Sequence, residues 1–345
     1  MFITRAPLRI SFAGGGTDLP GYYRKHGPGA VISTAINRYV YISLSDKFDG
    51  KVSVRYRNHE SVDRVEDLDH ALIREILLHY GVHKNVELVV SSEVPAKGSG
   101  LGASSALAVA LCLALESKCG RSISKLTLAE TASYLEIEKV GSPIGKQDHY
   151  AAAFGGLNFI QFNPDDTADV IPFPESDFTC ELEGQSMLFY LNIGHTYQKD
   201  GQTLPDKMFV PRILSEQTRT IDSMVKEYDL QRDNAFELRK NMDYEQIERF
   251  MDHINENWRI KKKLHRDISN PKIDDFMRRA MSAGATAAKN CGAGGGGFVY
   301  LLVPPSMQPL VEKELSSEFP QLKFSFNNTG AQVIFNDSVG VGVPV

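Results

Sequence analysis

The chain has 345 residues, a net charge of −5 and 42% hydrophobic residues. That is enough for two domains, without the basic excess that would argue for nucleic acid or an anionic membrane surface. No apolar run approaches the roughly 20 residues of a membrane span, and the first residues enter a strand pattern without the shape of a signal peptide.

In chain order, residues 2–13 alternate like a strand, and β-rich segments follow at 31–34, 39–44 and 51–56, separated by turn residues. Residues 67–80 have helical spacing and stop at Gly81; 86–91 return to a strand pattern. A long Ala- and Leu-rich helix at 104–119 is closed by Gly120, and a second at 127–140 by Gly141 and Pro143. A third helix covers 148–154, and strands at 157–162 and 168–173 follow Gly155 and Gly156. The acid-rich stretch 174–186 reads as a loop and divides the chain into domains 1–184 and 185–345. The second half continues with a strand at 187–193, helices around 206–228, 230–240, 243–266 and 273–283, a strand at 298–303, a helix at 307–319 and strands at 322–327 and 331–335. These imply helices on an antiparallel sheet. The basic cluster Arg259, Lys261, Lys262, Lys263 and Arg266 reads as a solvated helix face. The scattered cysteines Cys112, Cys119, Cys180 and Cys291 lack C-x-x-C spacing, so they read as reduced thiols of a cytoplasmic protein, Cys291 as a packed bystander.

Three glycine-dense segments carry the chemistry. The central one runs Lys97, Gly98, Ser99, Gly100, Leu101, Gly102, Ala103, Ser104, Ser105, directly into the long helix. Small residues before a helix N-terminus, where amides are free and the dipole is positive, suit a nucleotide phosphate. It is not the common P-loop, because Ala103 stands where a Lys should precede the hydroxyls. Nor is it a dinucleotide fingerprint, since its third glycine comes one residue early. The first segment takes a strand from Arg5 through Arg9 into Gly14, Gly15, Gly16, Thr17 and Asp18. The third, Gly292 to Gly297, precedes the strand at 298–303.

Taken together, Arg5–Asp18, Pro95–Ala106 and Gly292–Gly297 resemble the three ordered motifs of the GHMP kinases, over nearly the whole chain. Gly14–Asp18 and the segment Gly145 to His149 look most like the D-glycero-D-manno-heptose 7-phosphate kinases within that superfamily. The resemblance implies a two-domain α+β fold, with an N-terminal ribosomal-S5-like α/β domain and a C-terminal ferredoxin-like α+β domain. It implies ATP and Mg²⁺ as cofactors and transfer of phosphate to the anomeric O1 of heptose 7-phosphate.

The same resemblance aligns Glu136 with the family's metal-binding Glu and Asp148 with its catalytic Asp. Ser105 adds a hydroxyl ligand for Mg²⁺, which prefers hard oxygens. Glu138, two positions along the helix, is left to solvent or a salt bridge. Asp148, at a loop-to-helix junction, orients or deprotonates the attacking hydroxyl and can also cap the helix. Lys146 either stabilises the Asp148 carboxylate, binds phosphate or is a surface lysine. Asp18, with Thr17, is the sugar-binding pair, its carboxylate suited to two vicinal hydroxyls; a turn-stabilising Asx is the alternative. Gly15 and Gly16 let the backbone approach the substrate, and Arg9 either reaches the ligand or lines the sheet. From the third motif, Gly294 and Gly295 close the site over the substrate.

A distal phosphate needs its own cation, for which Arg24, Lys25, Arg38 and Lys199 are candidates. The segment Gly194–Asp200 departs from related sugar kinases by carrying Lys199 where they often have Arg. That leaves open a fucokinase- or galactokinase-type sugar 1-kinase, or a non-catalytic sugar and ATP sensor. The partner implied is a small-molecule sugar phosphate, with neither nucleic acid nor membrane; a homodimer is left open.

Overall fold

A computed structural model describes residues 1–95, 98–193, 196–199, 202–205, 208–242 and 247–337. Strand β1 (Phe2–Ala13) leads through α1 (Pro20–His26) to its antiparallel partner β2 (Gly29–Asp46). The segments 31–34 and 39–44 are thus one strand. Asn37 and Arg38 are absorbed as a bulge, where the register jumps from Pro7 opposite Tyr39 to Leu8 opposite Ile36. Next come the hairpin of β3 (Val52–Arg55) and β4 (His59–Val62), α2 (Ala71–His79), and β5 (Val86–Ser92), which pairs with the second half of β2.

Helix α3 (Ala103–Lys118) has no polar face because its surroundings leave it none: it touches β1, β2, α4 (Lys125–Tyr134) and α5 (Gln147–Phe154), and most of its residues are buried. Strand β6 (Leu157–Phe162) pairs with the first half of β2 and with β7 (Ala168–Pro172). The stretch 174–186 is not a loop. Ser176 and Thr179 form a reciprocal capping box that starts α6 (Asp177–Gln185), and Phe178 and Leu182, one turn apart, are buried. A Ser-x-x-Thr box lacks the usual Glu or Gln signature, and the surrounding acidic residues masked the apolar pair.

Beyond it lie β8 (Ser186–Leu191), the hairpin β9 (Thr196–Lys199) and β10 (Gln202–Pro205), α7 (Phe209–Thr220), α8 (Val225–Met242), α9 (Ile247–Leu264) and α10 (Pro271–Ser282). The break after α7 falls at 221–224, so the expected helix 206–228 is divided. A second sheet joins β11 (Ala287–Asn290), β12 (Gly297–Leu302), β8 and β13 (Gln321–Leu322), with α11 (Gln308–Leu315) between β12 and β13. Strand β13 is short because the chain leaves that sheet: the Asn37 amide donates to Ser325 O and the Asn327 amide to Ala35 O. The last strand, β14 (Gln332–Asn336), then pairs with β1.

The apolar core is continuous between the halves. Phe12 of β1 meets Phe250 of α9 at 5.1 Å and Tyr300 of β12 at 5.3 Å, both edge to face.

Candidate active site

The central glycine loop is held from both sheets. The Arg9 amide donates to Leu101 O at 3.1 Å, the Phe298 amide donates to Ser99 O at 2.9 Å, and Arg9 Nη1 donates to Gly100 O at 2.6 Å. With these three carbonyls occupied, the loop delivers Gly102, in the left-handed region at φ 77°, as the N-cap of α3. Gly102 has no side chain with which to cap this helix, which leaves its first-turn amides suited to an anion. The third motif forms the turn between β11 and β12 and lies backbone to backbone on this loop: a Cβ on Gly100 would come within 2.6 Å of Cys291 O. Only glycine permits that approach.

The same arginine positions the candidate base. Arg9 Nε and Nη2 donate to the two Asp148 carboxylate oxygens at 2.7 and 2.6 Å, the bidentate geometry that fixes a carboxylate in one orientation. Asp148 begins α5 beside Gly102, where a Cβ would come within 3.2 Å of Asp148 Oδ2. A carboxylate therefore stands at the open N-terminus of α3.

Asp18 lies nearby, 1% exposed. Its Oδ1 accepts from the Gly16 amide and Gln147 Nε2, and its Oδ2 from the Gln147 amide. Three of roughly four acceptor positions are thereby taken, leaving about one for a substrate hydroxyl instead of two. Burial, and then the charge of Asp148, hold its carboxyl above the usual carboxylate range, against the pull of the Gln147 and Gly16 amides.

Glu136 is turned inward by a change of helix type. The expected helix 127–140 is α4 followed by a π-helical turn, Leu135–Lys139. Its carboxylate accepts from Ser104, from Ser105 at 3.1 Å and from His149 Nε2 at 2.7 Å. Burial alone would raise this carboxyl; the His149 bond and charge, with both serine hydroxyls, bring it below its ordinary value. Glu138 faces outward and pairs with Arg24 at 3.0 Å. A buried carboxylate beside a serine hydroxyl is the hard-oxygen donor set that suits Mg²⁺.

Other expected residues have different positions. Lys146 does not reach Asp148; its amine bonds to the Asp166 carbonyl at 3.0 Å, and Arg9 takes the role expected of it. The Thr17 hydroxyl is fully buried and tied to Gly14 O at 2.8 Å and to the Ala30 backbone, so it shapes the turn and is not open to a sugar. The Gly295 amide donates to Ile268 O at 2.8 Å, and a Cβ on Gly294 would strike the same carbonyl. The third motif thus meets the central glycine loop through Gly292 and Gly297. Gly15 lies by Gln147 and Ser11, and Gly16 faces the Tyr228 ring. Arg24, Lys25 and Arg38 are bonded to Asp166, Asp222 and the Lys323 carbonyl respectively. Lys97, Gly194, His195 and Asp200, and the side chain of Lys199, lie outside the described residues.

Sequence reasoning missed two lysines. Lys261 is not on a solvated face: it is partly buried and donates to Gly292 O. Lys289 is buried and donates to Ser11 O, Phe12 O and Asn257 Oδ1 at 2.6, 2.9 and 3.0 Å.

An anion at the first turn of α3 and a hydroxyl at Asp148 would meet beside Gly102. The fold and site are those of a phosphotransferase that acts on an alcohol group. The chain belongs to the GHMP kinases: residues 69–156 match the family's N-terminal domain and residues 237–321 its C-terminal domain. A D-glycero-alpha-D-manno-heptose 7-phosphate kinase of Campylobacter jejuni subsp. jejuni serotype O:2 is 27% identical over 95% of this chain and 97% of its own. A galactokinase of Thermococcus kodakarensis is 26% identical over 85% of this chain and 88% of its own. Among solved structures, a D-glycero-D-manno-heptose 1-phosphate kinase from Bacteriodes thetaiotaomicron superposes with a TM-score of 0.76 at 23% identity, covering 97% of this chain and 99% of that one. Among the described residues, no helix is long and apolar enough to cross a membrane.

Proposed function

We propose that this kinase uses ATP to phosphorylate the anomeric O1 of D-glycero-D-manno-heptose 7-phosphate, giving the 1,7-bisphosphate. The observation that carries the site reading is the fixed Arg9–Asp148 pair at the start of α3. The heptose assignment rests on the heptose 7-phosphate kinase that matches over nearly its whole length. The ATP phosphates lie on Gly98–Ser105, and Glu136 with Ser105 holds Mg²⁺, which neutralises phosphate charge when bound. Asp148, clamped by Arg9, accepts or orients the proton of the anomeric hydroxyl. Asp18 takes a hydrogen bond from a neighbouring sugar hydroxyl. Residues 1–184 supply these groups, and residues 185–345 cover them with the third motif.

The test is coupled ADP release with MgATP on heptose 7-phosphate, mannose 6-phosphate, mannose, fucose and galactose. Turnover confined to heptose 7-phosphate supports the assignment. Faster turnover of a free sugar replaces it with a galactokinase- or fucokinase-type activity, a reading favoured by the 31% identity to a Thermotoga petrophila galactokinase over 44% of this chain.

A further inference from the structure

We propose that Lys261 is a catalytic residue of this kinase, contacting the phosphoryl group in flight from the C-terminal half of the chain. The inference rests on the phosphotransferase chemistry and not on which sugar is the acceptor.

Helix α9 carries a basic run, but its members differ in setting. Arg259, Lys262 and Lys263 are exposed, and Arg259 is paired with Glu256. Lys261 falls on the buried stripe of α9, between Trp258 and Leu264, and is turned toward the third motif. A short chain of contacts joins its amine to the reacting centre. The ammonium donates to Gly292 O; Gly292 lies on Gly100; Gly100 O receives Arg9; Arg9 holds Asp148. The charges acting on Lys261 include those of Arg9, Asp148 and Asp18.

Two features distinguish it from a structural lysine. An ammonium has three donors, and among the described residues Lys261 has one partner, a neutral carbonyl. It also lies with Arg9 and Lys289, and among the described residues Asp148 is the one carboxylate in an ion pair with any of the three. Among the described residues Lys261 therefore has no carboxylate bonded to it. A phosphoryl group, whose charge spreads over three equatorial oxygens during transfer, makes up that deficit and uses the spare donors. Because the third motif lies on the phosphate loop, the lysine is held at the loop's edge without needing to move.

The experiment compares wild type with Lys261→Met and Lys261→Arg, using whichever sugar gives the fastest ADP release. Lys261→Met should lower kcat by about 10²–10³-fold, with KM for ATP and MgADP affinity kept within roughly threefold. Lys261→Arg should recover part of the rate. A second arm needs no sugar. Aluminium fluoride, a mimic of the phosphoryl group in transfer, should tighten MgADP binding by wild type and not by Lys261→Met. The proposal is overturned by a Lys261→Met kcat within about threefold of wild type, or by a loss seen only as raised KM for phosphorylated sugars. It also fails if Lys261→Met loses MgADP binding in parallel with rate, or if the fluoride effect is kept by the variant or missing from wild type. Failure of the heptose assignment alone alters only the acceptor used in the first arm.

Discussion

Replacing Arg9 by Met should separate a buried ion pair from a decorative one. The Arg9 and Asp148 side chains are 6% and 20% exposed. Their two bonds are 2.7 and 2.6 Å long, and a third from Arg9 to Gly100 O is 2.6 Å. Removing one partner of a buried, bidentate pair leaves the other charge without compensation and costs about 3–5 kcal/mol. A folded domain has only about 5–15 kcal/mol of stability to lose. Arg24, paired with both Glu138 and Asp166, its own side chain 41% and each carboxylate 46% exposed, supplies the internal control; such pairs are worth about 0–1 kcal/mol each. Urea unfolding of Arg9→Met and Arg24→Met reads the difference as a shift in midpoint at constant m-value. Adding Asp148→Asn completes a double-mutant cycle, in which neighbours of this kind couple by about 0.5–3 kcal/mol. The rate reads the same bond independently: an unclamped Asp148 should cost on the order of 10²-fold in kcat. If Arg9→Met destabilises no more than Arg24→Met, Arg9 does not set the position of Asp148 and the site description is wrong.

Four further outcomes are expected. Burial pushes the Lys261 ammonium down from 10.5 to about 8, so kcat/KM should fall as pH rises through about 8, and Lys261→Arg should flatten that limb. The sign for stability is opposite: the unfolded chain holds this proton up to 10.5, so the burden of burying the charge is present below about 8 and is relieved between the two values. Unfolding measured across that window should show wild type gaining on Lys261→Met. Gly100→Ala would place a Cβ within 2.6 Å of Cys291 O, parting the phosphate loop from the third motif, and should raise KM for ATP more than KM for the sugar. Glu136→Gln keeps the volume but removes the charge held by Ser104, Ser105 and His149, so Mg²⁺ titrations of activity should shift to higher metal concentration; an unchanged titration removes Glu136 from the metal site.

Much of the framework was legible because local chemistry determines it. Gly81, Gly120 and Gly141 follow helical segments whose ends match the structure to within a few residues. Glycine clustering marked the loops that require close backbone approach, and Gly292 and Gly100 are where those two segments touch. What failed was non-local. Asn37 and Arg38 have turn chemistry, but continuous pairing with β1 draws them into β2. The segment 322–327 has strand chemistry, but its second half is claimed by Asn37 and Ala35 across the molecule. Lys146 adjoins Asp148 in sequence only through Gln147, and α5 sends the two side chains to different partners.

The buried cations mark the limit more sharply, because one of them was within reach. At about 3.6 residues per turn, Trp258, Lys261 and Leu264 fall on one face of α9, so treating the whole basic run as solvated contradicted the apolar spacing beside it. Periodicity can thus find an inward lysine, but it cannot say what the lysine is for. That depends on acceptors far away in the chain. Lys289 has three, at Ser11, Phe12 and Asn257, which match its three donors and make it a tie between β11, β1 and α9. Lys261 has one, and it lies at the edge of the phosphate loop. Two lysines withdrawn from water by the same fold therefore take different roles: the saturated one joins the two halves of the protein, and the unsaturated one is left to meet the charge that moves between substrates.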